Sequence, residues 1–195
     1  MSASVRNDSE WWTAFYSDVD PWGFTRNEWE AEKYARTLQL CEAGPIAAAL
    51  ELGCGEGIFT ELLAPRCGSL LALDISSTAV TRAKNHLRGS PQVTVEERAL
   101  PAAMPRGPFD LVVASDVLYY WTESDLRSTL PVFEQILAPG GRLICVHYAR
   151  PMGTLLTGNE VHDILGDLNL TNTHSELLTL SHGPWRVDRF DKPVL

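Results

Sequence analysis

No stretch of this 195-residue sequence approaches the roughly 20 consecutive apolar residues that a membrane-crossing helix needs. The opening residues, MSASVRNDSE, contain no apolar core of the kind a secretory leader carries, so a cytoplasmic location is expected. Positive charge is scarce: 16 Lys and Arg stand against 25 Asp and Glu, a formal net charge of −9. Proteins that wrap a polyanion do so with clustered Lys and Arg, so neither nucleic acid nor a membrane surface is an expected partner. Cysteine is sparse and scattered. Cys41, Cys54, Cys67 and Cys145 form no C-x-x-C pair and have no His at ligand spacing. Neither a metal site nor a disulfide framework is expected, and thiols in a reducing compartment are. No internal repeat and no Pro/Gly/Ser-rich linker divides the chain. What remains is the ordinary balance of a globular domain, 45% hydrophobic and 21% charged, read as one domain over residues 1–195.

The pattern along the chain changes near residue 45. Before it, residues 7–18 suggest a short amphipathic helix led by Asp8 or Ser9, broken at Asp20-Pro21-Trp22-Gly23. Thr25 with Glu28 gives a capping-box signal for a helix reaching about residue 42. After it, short apolar runs alternate with helical stretches. Strands are expected at 46–52, 69–74, 93–97, 109–115 and 142–148. Helices are expected at 58–64, from Ser76 or Ser77 to Leu87, and at 123–137 behind Thr122. That alternation implies an α/β domain with a largely parallel sheet. The tail, with runs at 175–181 and 185–190 around His182-Gly183, reads as a closing hairpin at the sheet edge.

One segment carries chemistry. Leu50-Glu51-Leu52-Gly53-Cys54-Gly55-Glu56-Gly57 ends the first strand and opens a helix, where backbone in such folds passes close to a ligand. A dinucleotide fingerprint would require its third glycine at position 58, where Ile58 stands. Glu51, two residues before Gly53, would repel a pyrophosphate. Asp74 lies 21 residues after Gly53, where an acid takes hydrogen bonds from ribose hydroxyls. A ribose, a positive charge and no diphosphate together describe S-adenosylmethionine, with S-adenosylhomocysteine as the product.

The same residues resemble the class I S-adenosylmethionine-dependent methyltransferases. The likeness rests on E-L-G-C-G-E-G, Asp74, F-D-L-V-V-A-S-D-V-L-Y-Y (109–120) and L-A-P-G-G-R-L (137–143), and runs from about residue 45 to 148. It implies a Rossmann-like domain with a seven-stranded, mostly parallel sheet, helices on both faces and an antiparallel C-terminal hairpin. Residues 1–44 would form a helical lid, 45–148 the cofactor-binding core and 149–195 the substrate side. D-P-W-G, W-E-A-E-K-Y-A and T-G-N-E-V-H-D-I-L (157–165) narrow the resemblance to the NodS-type N-methyltransferases, which modify an amine of nodulation-factor precursors. Those relatives carry H-W-R where this chain has His147-Tyr148-Ala149-Arg150, a departure that bears on the substrate.

By resemblance, Gly53 and Gly55 line the methionine moiety, Glu51 anchors the loop or the ammonium, and Asp74 holds the ribose. Ile75 packs on adenine, and the Ala99 and Leu100 backbone replaces an acid that many relatives place there. Asp116 and Val117 face the methyl-donor end, Asp116 also as a catalytic candidate. Trp22 and Tyr34 either close over the cofactor or serve as core, and Lys33 or Arg26 either meets the methionine carboxylate or is surface charge. His147 is the candidate general base, since an imidazole titrates near neutrality; a structural histidine is the alternative. Tyr119, Tyr120, Trp121, His147 and His162 are the candidate substrate pocket. The expected reaction is N-methylation of a small-molecule amine by a monomer or weak homodimer. Small-molecule O-methylation, or cofactor binding without catalysis, are the alternatives. The Asn/Asp-Pro-Pro-aromatic motif of enzymes that methylate base or amide nitrogens is replaced by Ser115-Asp116-Val117-Leu118.

Overall fold

The apolar run IAAALEL folds as β1 (Ile46–Leu52), flanked by parallel strands on both sides, β2 (Cys67–Asp74) and β4 (Phe109–Ser115). β3 (Val93–Glu97) lies outside β2, and β5 (Leu137–Tyr148) outside β4, again parallel. β7 (Gly183–Asp191) pairs antiparallel with β5, and β6 (Thr171–Leu180) closes the far edge, giving the order β3-β2-β1-β4-β5-β7-β6. The structure, a computed structural model, describes residues 8–18, 21–23, 28–42, 44–180 and 183–194. Strand order reverses between β1 and β4, so a crevice opens at their carboxyl ends, where open α/β sheets bind ligands.

Helices cover both faces: α1 (Ser9–Phe15), α2 (Glu28–Cys41), α3 (Ile58–Leu63), α4 (Ser77–His86), α5 (Glu123–Ile136) and α6 (Gly158–Leu165). This burial on both sides is why the central strands read as continuous apolar runs rather than alternating ones. Along β4, Val112 and Ala114 join one core while Leu111 and Val113 join the other. No helix among the described residues is long and apolar enough to cross a membrane.

Local caps explain most element starts. Ser76 Oγ accepts from the Ala79 N–H at 3.2 Å, and Thr122 Oγ1 from the Asp125 N–H at 3.1 Å. Thr157 and Glu160 form a capping box at α6. Several boundaries differ from expectation. α1 is shorter than 7–18, and Asp20, Thr25 and His182 lie outside the described residues. β2 begins at Cys67, directly after a 3-10 turn (Ala64–Arg66) that Pro65 favours. β5 begins at Leu137 rather than at residue 142. Gly140, with φ +75°, lets the chain bulge there, and Lys192 exchanges backbone hydrogen bonds with Gly140 (3.0 Å) and Gly141 (2.8 Å). The hairpin strands are likewise longer than the runs at 175–181 and 185–190, because pairing with β5 extends β7 to Asp191.

Candidate active site

The loop after β1 is fixed by backbone alone. The N–H groups of Gly53 and Cys54 both donate to the Leu73 carbonyl, at 2.8 and 2.9 Å. Gly53 has φ +72°, and a Cβ there would lie 2.8 Å from Val117 Cβ, so only glycine fits. Asp74 ties the loop to β2: its Oδ2 accepts from the Gly55 N–H and its Oδ1 from the Ser76 N–H, each at 2.9 Å. Burial raises the Asp74 carboxyl above the usual range, and the Ser76, Gly55 and Ile75 amides pull against that rise. Each of its oxygens keeps acceptor capacity beyond the one amide it uses. Glu51 is only 4% exposed, and its Oε2 has no hydrogen-bond partner. Burial, reinforced by Asp74, pushes its pKa up to about 8.

These groups line a cavity of about 360 Å³. Trp12, Tyr16 and Trp22 from the N-terminal segment form one wall, with the Trp22 indole N–H donating to the Tyr16 hydroxyl at 3.2 Å. Ile75, Leu100 and Val117 supply apolar surface nearby. At the other end α2 inserts two charges. Lys33 Nζ lies 2.8 Å from Glu30 and 2.6 Å from Asp116 Oδ2, with the lysine side chain 2% exposed. Burial disfavours the ammonium, but Asp116 and Glu30 together outweigh it and hold Lys33 above its ordinary pKa. Burial likewise opposes the Asp116 carboxylate, and Lys33 reverses the outcome, leaving its pKa lowered. Glu30 is raised, because burial exceeds what Lys33 returns. Beyond this trio, Trp29 stacks on Trp185 with centroids 5.3 Å apart, and Tyr148 meets Trp185 edge-on at 5.0 Å.

Asp116 adopts φ +51°, the left-handed region that few non-glycine residues enter. Its neighbours over-determine that conformation. Its N–H donates to the Val146 carbonyl at 2.8 Å, while Oδ1 accepts from the Tyr119 hydroxyl and the Tyr148 N–H, each at 3.0 Å.

Trp22, Glu51, Gly53, Gly55, Asp74, Ile75, Leu100, Asp116 and Val117 all face the cavity, as do Tyr34, Tyr119, Tyr120 and Trp121. Three candidates do not. Ala99 is exposed and is not among the residues that line the cavity; the neighbouring Arg98, whose N–H donates to the Asp74 carbonyl at 2.8 Å, is. His147 and His162 are 0% and 1% exposed and stand behind the wall, bonded to each other at 3.1 Å. Burial and the second imidazole push the His147 pKa well down, and neither ring lines the cavity. Lys33 is no surface charge; it is the centre of the buried trio. Arg26 lies outside the described residues. Glu30, Trp12, Tyr16 and Trp185 were not singled out from sequence, since nothing local distinguishes them from surface acid or core aromatics.

Residues 15–152 match the family model described as Nodulation protein S (NodS). This chain belongs to the NodS family. It is 35% identical over 127 residues to Nodulation protein S of Rhizobium tropici, a stretch covering 64% of this chain and 53% of that protein. The figure for Nodulation protein S of Sinorhizobium fredii is 33% over 127 residues, covering 64% and 59%. The matched stretch thus spans little more than half the length of these curated relatives. The fold superposes on N-methyltransferase NodS from Bradyrhizobium japonicum WM9, solved with S-adenosyl-L-homocysteine, at a TM-score of 0.86 and 27% identity, covering 96% of this chain and 99% of that one.

Proposed function

We propose that this chain is an S-adenosylmethionine-dependent N-methyltransferase acting on a small-molecule amine. The observation that carries the reading is one cavity joining the glycine cradle and Asp74 to a buried Glu30–Lys33–Asp116 trio, with both histidines of the region sealed behind its wall.

The residues fit the cofactor. Gly53 lets the loop pack directly against Val117 at the cavity, Glu51 Oε2 is an unsatisfied acceptor suited to a cationic group, and Asp74 retains lone pairs for ribose hydroxyls. Ile75 and Leu100 offer apolar faces for a base. When bound, S-adenosylmethionine supplies an electrophilic methyl group for a nucleophile in line with its sulfonium. The protein's work is then chiefly alignment and proton handling. Trp12, Tyr16 and Trp22 cover the cofactor as a lid and exclude water. Asp116, locked by Lys33 and Tyr119, keeps its charge and orients the acceptor. Glu30, whose carboxyl burial raises above its ordinary value, takes the proton an ammonium must lose before it attacks. The trio carries two negative charges and one positive, which favours a basic acceptor. A hydroxyl acceptor would need a stronger base within reach, and His147, the residue expected to serve, is sealed away.

The test is a panel of primary amines and matched alcohols, assayed for S-adenosylhomocysteine release. Turnover is expected with amines, and Glu30→Gln should lower kcat by about 100-fold. Turnover confined to alcohols would overturn the reading.

A further inference from the structure

Behind the cavity wall runs a line of buried polar groups that the proposed chemistry does not use. Asp188 on β7, 1% exposed, has Oδ2 2.6 Å from His162 Nδ1 on α6. His162 Nε2 lies 3.1 Å from His147 Nδ1 on β5, and His147 Nε2 lies 3.2 Å from the Leu118 N. A backbone amide can only donate, so His147 Nε2 must be the acceptor. Its proton then sits on Nδ1 and is donated to His162 Nε2. That leaves the second proton of the line on His162 Nδ1, donated to the Asp188 carboxylate. Every bond therefore points the same way, toward Asp188. Both rings are neutral, in agreement with burial lowering both pKa values.

We propose that Asp188, His162 and His147 are positioning residues: a one-directional hydrogen-bond line that holds His147 as acceptor for the Leu118 amide and so fixes loop 116–118 over the cofactor cradle. The loop needs such a clamp. Asp116 sits at φ +51°, a conformation that persists only where its surroundings enforce it. β5 grips it at both ends, through the Val146 carbonyl on the Asp116 N–H and through His147 on the Leu118 N–H. Between those grips Val117 lies against Gly53, so a displaced loop would move into the cradle. His162 and Asp188 lie beyond residue 152, where the family match ends. The C-terminal elements thus reach the site twice, directly through Trp185 and indirectly through this line. The part played by loop 116–118 at the cofactor rests on the proposed function above.

The test uses the full chain with 15N-labelled histidine, the five resonances being assigned by single substitutions. Near neutral pH, His147 and His162 should both appear as neutral Nδ1–H tautomers. Finding either as the Nε2–H tautomer or as imidazolium would overturn the proposal. Asp188→Asn keeps the shape, but an amide can donate or accept, so the line loses its direction. The variant should show faster exchange of the Leu118 amide and S-adenosylhomocysteine affinity weaker by about tenfold. Unchanged exchange and unchanged affinity in a folded Asp188→Asn protein would also overturn it. If the wild type itself fails to bind S-adenosylhomocysteine, the cofactor reading fails, while the tautomers and the Leu118 exchange still decide the proposal.

Discussion

Glu51 is buried at the end of β1, with one carboxylate oxygen lacking a partner and its pKa pushed up to about 8. At neutral pH it is therefore mostly protonated, and a cation placed beside it favours the ionised form. S-adenosylmethionine should bind more tightly as pH rises toward 8 and release a proton as it binds. Calorimetry in buffers of different ionisation enthalpy measures that proton, and Glu51→Gln should abolish it. The same shift has a stability consequence of defined sign. Between its ordinary value of 4.5 and about 8 the folded chain holds a proton that the unfolded chain has lost, so this group's contribution falls as pH rises through that window. Glu51→Gln should gain on the wild type in melting temperature across it. Lys33 sets the other end of the cavity. Lys33→Met leaves the buried Glu30 and the half-buried Asp116 without their cation, and should destabilise the fold by about 3 kcal/mol in denaturant titration. Glu51, Gly53 and Asp74 were legible in sequence because a tight turn and a strand end impose local rules. The trio was not: Lys33 and Asp116 stand 83 positions apart, and only the fold brings them together.

At the scale of elements, Arg82 ties the segment after α1 to the rest of the site. Arg82 on α4 donates to the Ser17 and Asp18 carbonyls at 3.2 and 2.8 Å, and also to Glu56 in the glycine loop at 2.5 Å. One side chain therefore links the N-terminal segment, α4 and the glycine loop. These bonds are partly exposed, so Arg82→Ala should cost no more than about 1 kcal/mol in stability. It should weaken S-adenosylhomocysteine binding several-fold while leaving the sheet intact, as read by calorimetry beside circular dichroism. Strand and helix identities followed from periodicity and caps, because each is set within a few residues. The first residue of β5 did not, since its extension across Gly140 depends on backbone bonds to Lys192 at the other end of the chain.

Across the whole molecule, the net charge of −9 resolves into two populations. Most acids lie on the surface, whereas Glu30, Glu51, Asp74 and Asp116 are gathered into one cavity. The buried histidines add a separate dependence on acid. Asp188 and Asp163 face His162 favourably and Arg186 unfavourably; His147 is faced by Asp116, Lys33 and His162. Both pKa values are lowered in the folded chain, so unfolding takes up protons below the ordinary value, and stability falls with pH from about 6.5 downward. His162→Gln removes one such group, and the melting-temperature gap between it and the wild type should narrow as the solution is acidified. The placement of His147 behind the wall has a reason visible only at this scale. A histidine at the end of β5 points toward the site or behind it depending on what α6 and β7 offer, and here His162 and Asp188 draw it behind.

The cradle of Gly53, Gly55 and Asp74 is proposed to hold an S-adenosyl group. Titration calorimetry of the intact chain with S-adenosylhomocysteine and with NAD tests it most directly. One-to-one binding of S-adenosylhomocysteine, lost in Gly53→Ala, and no binding of NAD are expected; saturable NAD binding with no S-adenosylhomocysteine binding would overturn that assignment.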